Sequence, residues 1–545
     1  MVSTLPSVAR KAPARTYSAP IILTAGPFTG VSEANEPPAG QRDRLYRAQN
    51  IYVTPGSGSK TVLGRPGFEV MGADLGTNVQ GGGQFTTTAG VQYTWAVVDG
   101  EIYTYNWGTD AWTKVVSTAN LTTASITCSN SARIRSVVFF NTLVLSDGVN
   151  VPFTWDGQTG AGGLVELTNA PVAYGQPVVY YSKLFFIKDT ERDTIVWSEE
   201  GTANTGYEAG GYNNAWTLGG TKGENIVALA ARNDSLGVIR PRSTTVIQGA
   251  VNDAFQTTGT RAAVSERIGT SSPDGVLVLD EGTIILDSDG RPQYWPNGGG
   301  YAENPSMWQD CVSSVASIDR DDLPVAQIVY DPLLNLILIG TSTATSTVMA
   351  QWLVFERTGG VPNYSGLWNG FAADCMFVAL DSDLVPRWIH GDSANGLLYK
   401  HGTLTIGPWE DGFAAGDTAI EHITIAPALG YDIDEFCRFD ELSLAFFLVD
   451  ETTINIDYET SRATSQGSLV VSVTGTAAGG LWDVDDWDEV DWAADGSGEL
   501  RKRVGLKGYG RWIRVRITHS TISKRFGLEL MRLTAFRDGR PVNAA

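Results

Sequence analysis

The chain has 545 residues, with 39 Lys and Arg against 60 Asp and Glu, for a formal net charge of −21. That balance argues against a protein that coats nucleic acid or lies on an anionic membrane, because both need basic surface. With 18% charged and 10% aromatic residues the composition is that of a folded chain, long enough for two to four domains at roughly 150 residues each.

Glycine is abundant, 61 of 545 or about 11% against an average near 7%. With Trp, Tyr and Thr also plentiful, this predicts many short strands joined by tight turns. Residues 1–89 read as an N-terminal arm with the first platform strands. Arg10, Lys11 and Arg15 are not followed by an apolar stretch of signal-peptide length. The longest apolar runs, such as Leu333–Ile339, fall well short of the roughly 18 residues that cross a bilayer. A soluble protein is expected.

Residues 90–414 carry one repeated pattern, a strand-like run, a polar turn and a second strand-like run. The paired runs are Thr94–Val98 with Glu101–Tyr105, Val137–Phe140 with Leu143–Ser146, and Val178–Tyr181 with Leu184–Ile187. They continue with Ile226–Ala231 and Leu236–Ile239, Val276–Leu279 and Thr283–Leu286, Ala326–Tyr330 and Leu334–Ile339, then Met376–Leu380 and Pro386–His390. Turns at 99, 141, 182, 233, 281, 332 and 381 give intervals of 42, 41, 51, 48, 51 and 49. An all-β period of roughly 40–50 residues is the signature of propeller blades, which stack because no single sheet buries both its faces. Six or seven blades fit. Trp107, Trp112, Trp155, Trp197, Trp216, Trp295, Trp352, Trp368 and Trp388 are expected to pack between blades.

Two stretches interrupt the array. Residues 199–225, rich in Gly and Asn, read as a long surface loop, and residues 251–274 as an insertion with a short helix around Arg261–Ile268. Beyond 415, alternation at Leu442, Leu444, Phe446 and Leu448, at Ile454, Ile456 and Tyr458, at Val471 and Val473, and at Ile513, Val515 and Ile517 predicts half-buried strands. Residues 415–545 are therefore a β-sandwich-like platform domain with a basic end. The fold class is all-β, a six- or seven-bladed β-propeller followed by that sandwich.

Charge is partitioned along the chain. Residues 501–545 hold twelve Lys and Arg against two acids, residues 48–500 hold 21 against 55, and residues 1–47 hold six against three. Arg501, Lys502, Arg503, Arg514 and Arg516 are read as a solvated sheet face or as an interface with an acidic neighbour, including a second copy. No helix with interleaved base-reading side chains points to specific DNA binding. In the segment Leu481–Trp492, Trp482, Trp487 and Trp492 recur every five residues among six carboxylates, a spacing that suits neither helix nor strand. These tryptophans are assigned to a partner or subunit interface. The carboxylates could hold calcium, but the loop lacks the Gly and closing Glu of an EF-hand.

Catalytic patterns are absent from the sequence. His390, His401, His422 and His519 form no HExxH motif and no close pair, and Cys128, Cys311, Cys375 and Cys437 form no CxxC and read as buried thiols. There is no GxSxG, Walker A or strand-linked GxGxxG pattern. Ser146-Asp147-Gly148 with Trp155, and Ser288-Asp289-Gly290 with Trp295, resemble the Asp boxes of sialidases, which are structural turns. No enzyme, cofactor or metal is expected; a propeller glycan hydrolase, needing only two suitably spaced carboxylates among 60, or a receptor-binding protein is the alternative.

Several short segments, in this order, resemble the tail hub or nozzle proteins of short-tailed bacteriophages, also called packaged-DNA stabilisation proteins. They are Asn50-Ile51-Tyr52, Pro55-Gly56 and Gly64-Arg65-Pro66-Gly67-Phe68, then Leu236–Gln248, Ile268-Gly269-Thr270 and Ile284–Tyr294, then Gly391-Asp392 to Tyr399, and Lys502-Arg503-Val504-Gly505 before Trp512–Ile517. The resemblance implies a virion tail protein forming a hexameric ring below the portal and head-to-tail adaptor. Such a ring closes the DNA channel after packaging, passes double-stranded DNA without specific binding, and carries a tail fibre or spike. It implies no catalytic residues.

Overall fold

Alternating apolar side chains put one face of each run into a core, and Gly, Asn and Asp at the turns supply the backbone freedom a hairpin needs. The computed structural model describes residues 20–33, 43–54, 61–207, 214–219, 224–233, 235–249, 259–301, 307–402, 410–413, 415–429, 436–446, 452–473, 500–521, 524 and 527–537. Within these, seven antiparallel meanders succeed one another, spanning 79–116, 135–166, 173–217, 228–265, 276–296, 327–368 and 373–401. Their first strands lie side by side in order, and that of the seventh returns to that of the first. A buried apolar cluster fills each gap between neighbours, the one between blades five and six being continuous with the sandwich core. The body is a seven-bladed propeller.

Each of the seven predicted hairpins falls in its own blade. In blade one the turn at Asp99-Gly100 joins the second and third strands, whereas in the others the identified turn joins the first and second. The first interval is short for that reason. Trp155, Trp197, Trp295, Trp352 and Trp368 are buried, each in a cluster between blades.

Three expectations are corrected. The helix around Arg261–Ile268 is instead a strand, Thr260–Ser265, because it completes the ladder of blade four against Ser243–Gln248. Residues 199–225 are not simply a surface loop: Ala215–Thr217 is the outer strand of blade three, and Tyr207 is fully buried between blades two and three. The propeller also begins before residue 90, with Val79–Thr86 in blade one and Phe68–Val70 as the last strand of blade seven, paired with Leu398–His401. A strand from the N-terminal side thus closes the ring.

The sandwich draws on both ends of the chain. One sheet runs Leu500–Gly510, Cys437–Phe446, Gly527–Arg537, Val62–Gly64, Ile51–Val53, with Ile21–Ala25 also on Gly527–Arg537. The other runs Arg47–Gln49, His422–Ile425, Ile513–His519, Thr452–Thr460, Ala463–Val473. Between them lie Phe439, Leu442, Leu444 and Phe446 with Ile454, Ile456, Ile513, Val515 and Ile517, all buried. Arg47–Gln49 also pairs with Asn363–Trp368, the outer strand of blade six, so one hydrogen-bonded sheet continues from propeller into sandwich.

The chain crosses between the two bodies at Gly64–Phe68. Arg65, fully buried, makes a bidentate ion pair with Asp411, Nη1 to Oδ1 at 2.7 Å and Nη2 to Oδ2 at 2.5 Å. Its remaining donors reach Asn50 Oδ1 and the carbonyls of Pro66 and Asn369. A Cβ on Gly67 would stand 1.9 Å from the Glu410 carbonyl oxygen, so only glycine lets the two backbones approach. Removing one partner of a buried pair strands the other charge, at about 3–5 kcal/mol. Urea unfolding should show that loss in Arg65→Met and in Asp411→Leu. The double variant should recover much of it, since two apolar side chains leave no orphan charge.

Candidate functional site

The predicted interface residues separate once placed. Leu500–Gly510 is an edge strand on which Leu506 turns inward while Arg503 and Lys507 are exposed and Lys502 is half-buried. Arg501 stands opposite Ala445 in the same ladder. Arg503 and Arg532 flank Ser443 in register, which puts two guanidinium side chains in one row of the sheet's outer face. Charged residues on an edge also discourage unwanted strand addition.

On the second sheet, Ile513, Val515 and Ile517 fill the core and Arg516 is exposed. Arg514 is held differently. It donates to Glu459 Oε1 at 3.0 Å and lies 4.3 Å over the Tyr46 ring, which ties it into its own subunit. Trp482, Trp487 and Trp492 lie outside the described residues.

The propeller axis holds charges that sequence separation concealed. Arg135 is bidentate to Asp274, Nε at 2.8 Å and Nη2 at 2.9 Å, and Arg133 Nη1 reaches the same carboxylate at 3.0 Å. Arg133 also donates to the carbonyls of Val325 and Asp374, so one side chain links blades two, six and seven. Burial alone would raise the Asp274 carboxyl, but Arg135 and Arg133 outweigh it and hold it below the usual range. Both arginines line a cavity of about 440 Å³ and another of about 200 Å³. The axis is plugged between them.

All four histidines, unpaired in sequence, pair in space. His390 Nδ1 lies 2.8 Å from His401 Nε2, and His422 Nδ1 lies 3.2 Å from His519 Nδ1. The first pair sits in an aromatic nest of Phe68, Phe371, Trp388 and Tyr399. Burial, reinforced by Arg65, pushes His390 down to about 3. Burial also lowers His401, with His390 and Arg65 adding to it, and His422, with His519 and Arg65 adding to it. His390, His401 and His422 are neutral packing elements at physiological pH. Separations of 11 residues between His390 and His401 and 97 between His422 and His519 carried no signal that the strands on which they stand would be neighbours. Among the described residues no three His, Cys, Asp or Glu side chains are grouped to hold a metal, and no helix is long and apolar enough to cross a membrane.

The Asp-box-like segments are turns. Asp147 accepts backbone N–H groups from Ser129, Val149 and Asn150, and Asp287 from Asp289 and Arg291. Cys311, Cys375 and Cys437 are buried and Cys128 is half-buried, all as free thiols.

No protein-family model matches this chain, and no curated protein does. Among solved structures it is similar to BamB from Moraxella catarrhalis, at 11% identity and a TM-score of 0.34, covering 70% of this chain and 98% of that one. It is also similar to YCF48 bound to D1 peptide, at 10% identity and a TM-score of 0.33, covering 65% and 98%. The N-terminal domain of Nup159 is matched at 10% identity and a TM-score of 0.34, again covering 65% and 98%. Likeness at this level concerns fold alone.

The buried histidines set a pH dependence. Burial depresses the folded pKa values of His390, His401 and His422, so their contribution to stability is complete above about 6.5 and is lost as pH falls below it. Asp331, which burial raises to about 6 despite bonds from Leu334 and Leu333, acts in the opposite sense with one proton. Asp287 and Asp374, which burial also raises, act with Asp331, so the histidines' loss on acidification is partly offset. Urea unfolding between pH 6 and 4 should show a smaller loss of stability on acidification in a His390→Gln, His401→Gln variant than in wild type, whatever that variant's absolute stability.

Proposed function

We propose that this chain is a structural virion protein, a subunit of the ring-shaped tail hub or nozzle below the portal and adaptor of a short-tailed bacteriophage. The observation that carries this reading is the division of charge across two joined bodies. The chain is strongly acidic overall, yet the outer sheet of the sandwich exposes Arg503, Lys507 and Arg532. An acidic wall repels phosphate and lets DNA slide, whereas a basic wall would grip it. A basic sheet face suits docking on an acidic neighbour.

Further support comes from the segments that resemble tail hub proteins. Gly64-Arg65-Pro66-Gly67-Phe68 occupies the crossing between bodies, where every residue but Pro66 meets a tight packing or ion-pair requirement. With the propeller axis plugged by Arg133, Arg135 and Asp274, a DNA channel in such a ring would run between subunits and not through a propeller. The partners in this reading are further copies in a hexameric ring, the head-to-tail adaptor, a fibre or spike, and DNA passing through without specific binding.

Immunogold labelling of parent virions with an antibody to this chain tests the assignment. Label is expected at the neck or tail tip. Label on spikes would favour the receptor-binding or glycan-cleaving alternative, and absence of label from every particle would sink the structural role.

A further inference from the structure

The first turn of each blade emerges on one face of the propeller, because blades are related by rotation about the axis and turns of a meander alternate between its ends. In blade two this turn is Phe140-Asn141, with φ of 44° and 60°, and in blade three it is Tyr181-Ser182, with φ of 49° and 56°. Both are two-residue hairpin loops whose left-handed backbone suits Asn-Gly, and a bulky aromatic there is strained. Phe140 is nevertheless 58% exposed and Tyr181 53%, each touching the ring before it, Phe139 or Tyr180, edge to face. Val138 is exposed beside them, and blade seven repeats the device with Leu384, at φ 61° and 67% exposed. Neither hydrophobic burial nor turn geometry accounts for large apolar residues at these positions. Strain of this kind is retained where a surface has work to do.

We propose that the turn rim of blades two and three, carried by Phe140 and Tyr181, is a docking surface for a second copy of this chain, received through the basic outer sheet of its sandwich. Charge complementarity selects that occupant. The rim is flanked by Asp156 in the third turn of blade two and Glu200 in that of blade three, while Glu199 is matched by Lys183. Among the described residues the sandwich sheet offers Arg503, Lys507 and Arg532 around Glu441 and Asp440, the latter paired with Arg438, and in register with Glu441 the 65% exposed Ile22. Aromatic anchors inside a charged surround are the usual make-up of an interface hot spot. The contact is head-to-tail, joining different surfaces of the two copies.

Choosing a second copy as occupant rests on the ring reading. The test uses the full chain in sedimentation velocity at low and high salt, beside thermal melts. Wild type is expected to self-associate, less so at high salt. Phe140→Asn with Tyr181→Asn should weaken association by roughly tenfold or more while leaving Tm unchanged or about 1–2 °C higher, since strain is relieved. Arg503→Glu with Arg532→Glu should weaken it similarly. Because each variant keeps one intact surface, mixing the two should restore pairs that grow no further. A monomeric wild type, unchanged association in either variant, failure of the mixture to pair, or a marked loss of Tm on removing the aromatics would each overturn the proposal. Self-association through this rim by a chain absent from virions would overturn the tail-hub reading alone, and labelled tails with unaffected variants would overturn this one alone.

Discussion

One buried ion pair stands where the chain passes between its two bodies. Arg65 lies on the way into the propeller and Asp411 on the way out, 346 residues later. Between them the chain builds seven blades, and the last closes only if Phe68–Val70 is delivered to the edge of Leu398–His401. A bidentate guanidinium–carboxylate pair has one good geometry, so it orients the crossing in a way apolar packing alone would not. Its desolvation is costly, and the bonds to Asn50, Pro66 and Asn369 are what make burial tolerable.

The surroundings follow from that constraint. Gly67 has no side chain because the Glu410 backbone must come close enough to bring Asp411 to Arg65. Phe68, next in the chain, enters the nest of Phe371, Tyr399 and the two histidines, and burial in that nest, reinforced by the nearby Arg65, keeps those histidines neutral. Closure of the ring and the packing of the aromatic nest thus meet at one junction. The axis is organised by a second such device, Asp274 held between Arg133 and Arg135 across the blades. Both devices spend charge on geometry in the interior, leaving the features suited to partners at the periphery.

Those peripheral features are of two kinds. The edge strand and its neighbour present Arg503, Lys507 and Arg532 to solvent, while Arg514, counted with them in the sequence, is consumed by Glu459 and Tyr46. The first turns of blades two, three and seven present apolar side chains on a backbone that disfavours them. Exposed apolar groups with acidic neighbours on one body, and exposed cations on the other, are complementary surfaces on a single chain. The proposed head-to-tail contact would join these two surfaces.

Sequence by itself determined what depends on near neighbours. Period-two alternation and the polar turns specified seven hairpins and four of the sandwich strands, because strand facing and turn conformation are local properties. The charge partition was equally legible, being a sum over positions. Only the tertiary structure decided what depends on who pairs with whom: Phe68–Val70 closing blade seven, Thr260–Ser265 drawn into a ladder and not a helix, four histidines meeting as two pairs, and Asp274 meeting two arginines some 140 residues away. It likewise decided which arginines face outward and that Phe140 and Tyr181 sit on positive φ, since register and exposure belong to the assembled sheets. A strand pattern says which face is apolar, but the partner of that face is chosen by packing across hundreds of residues.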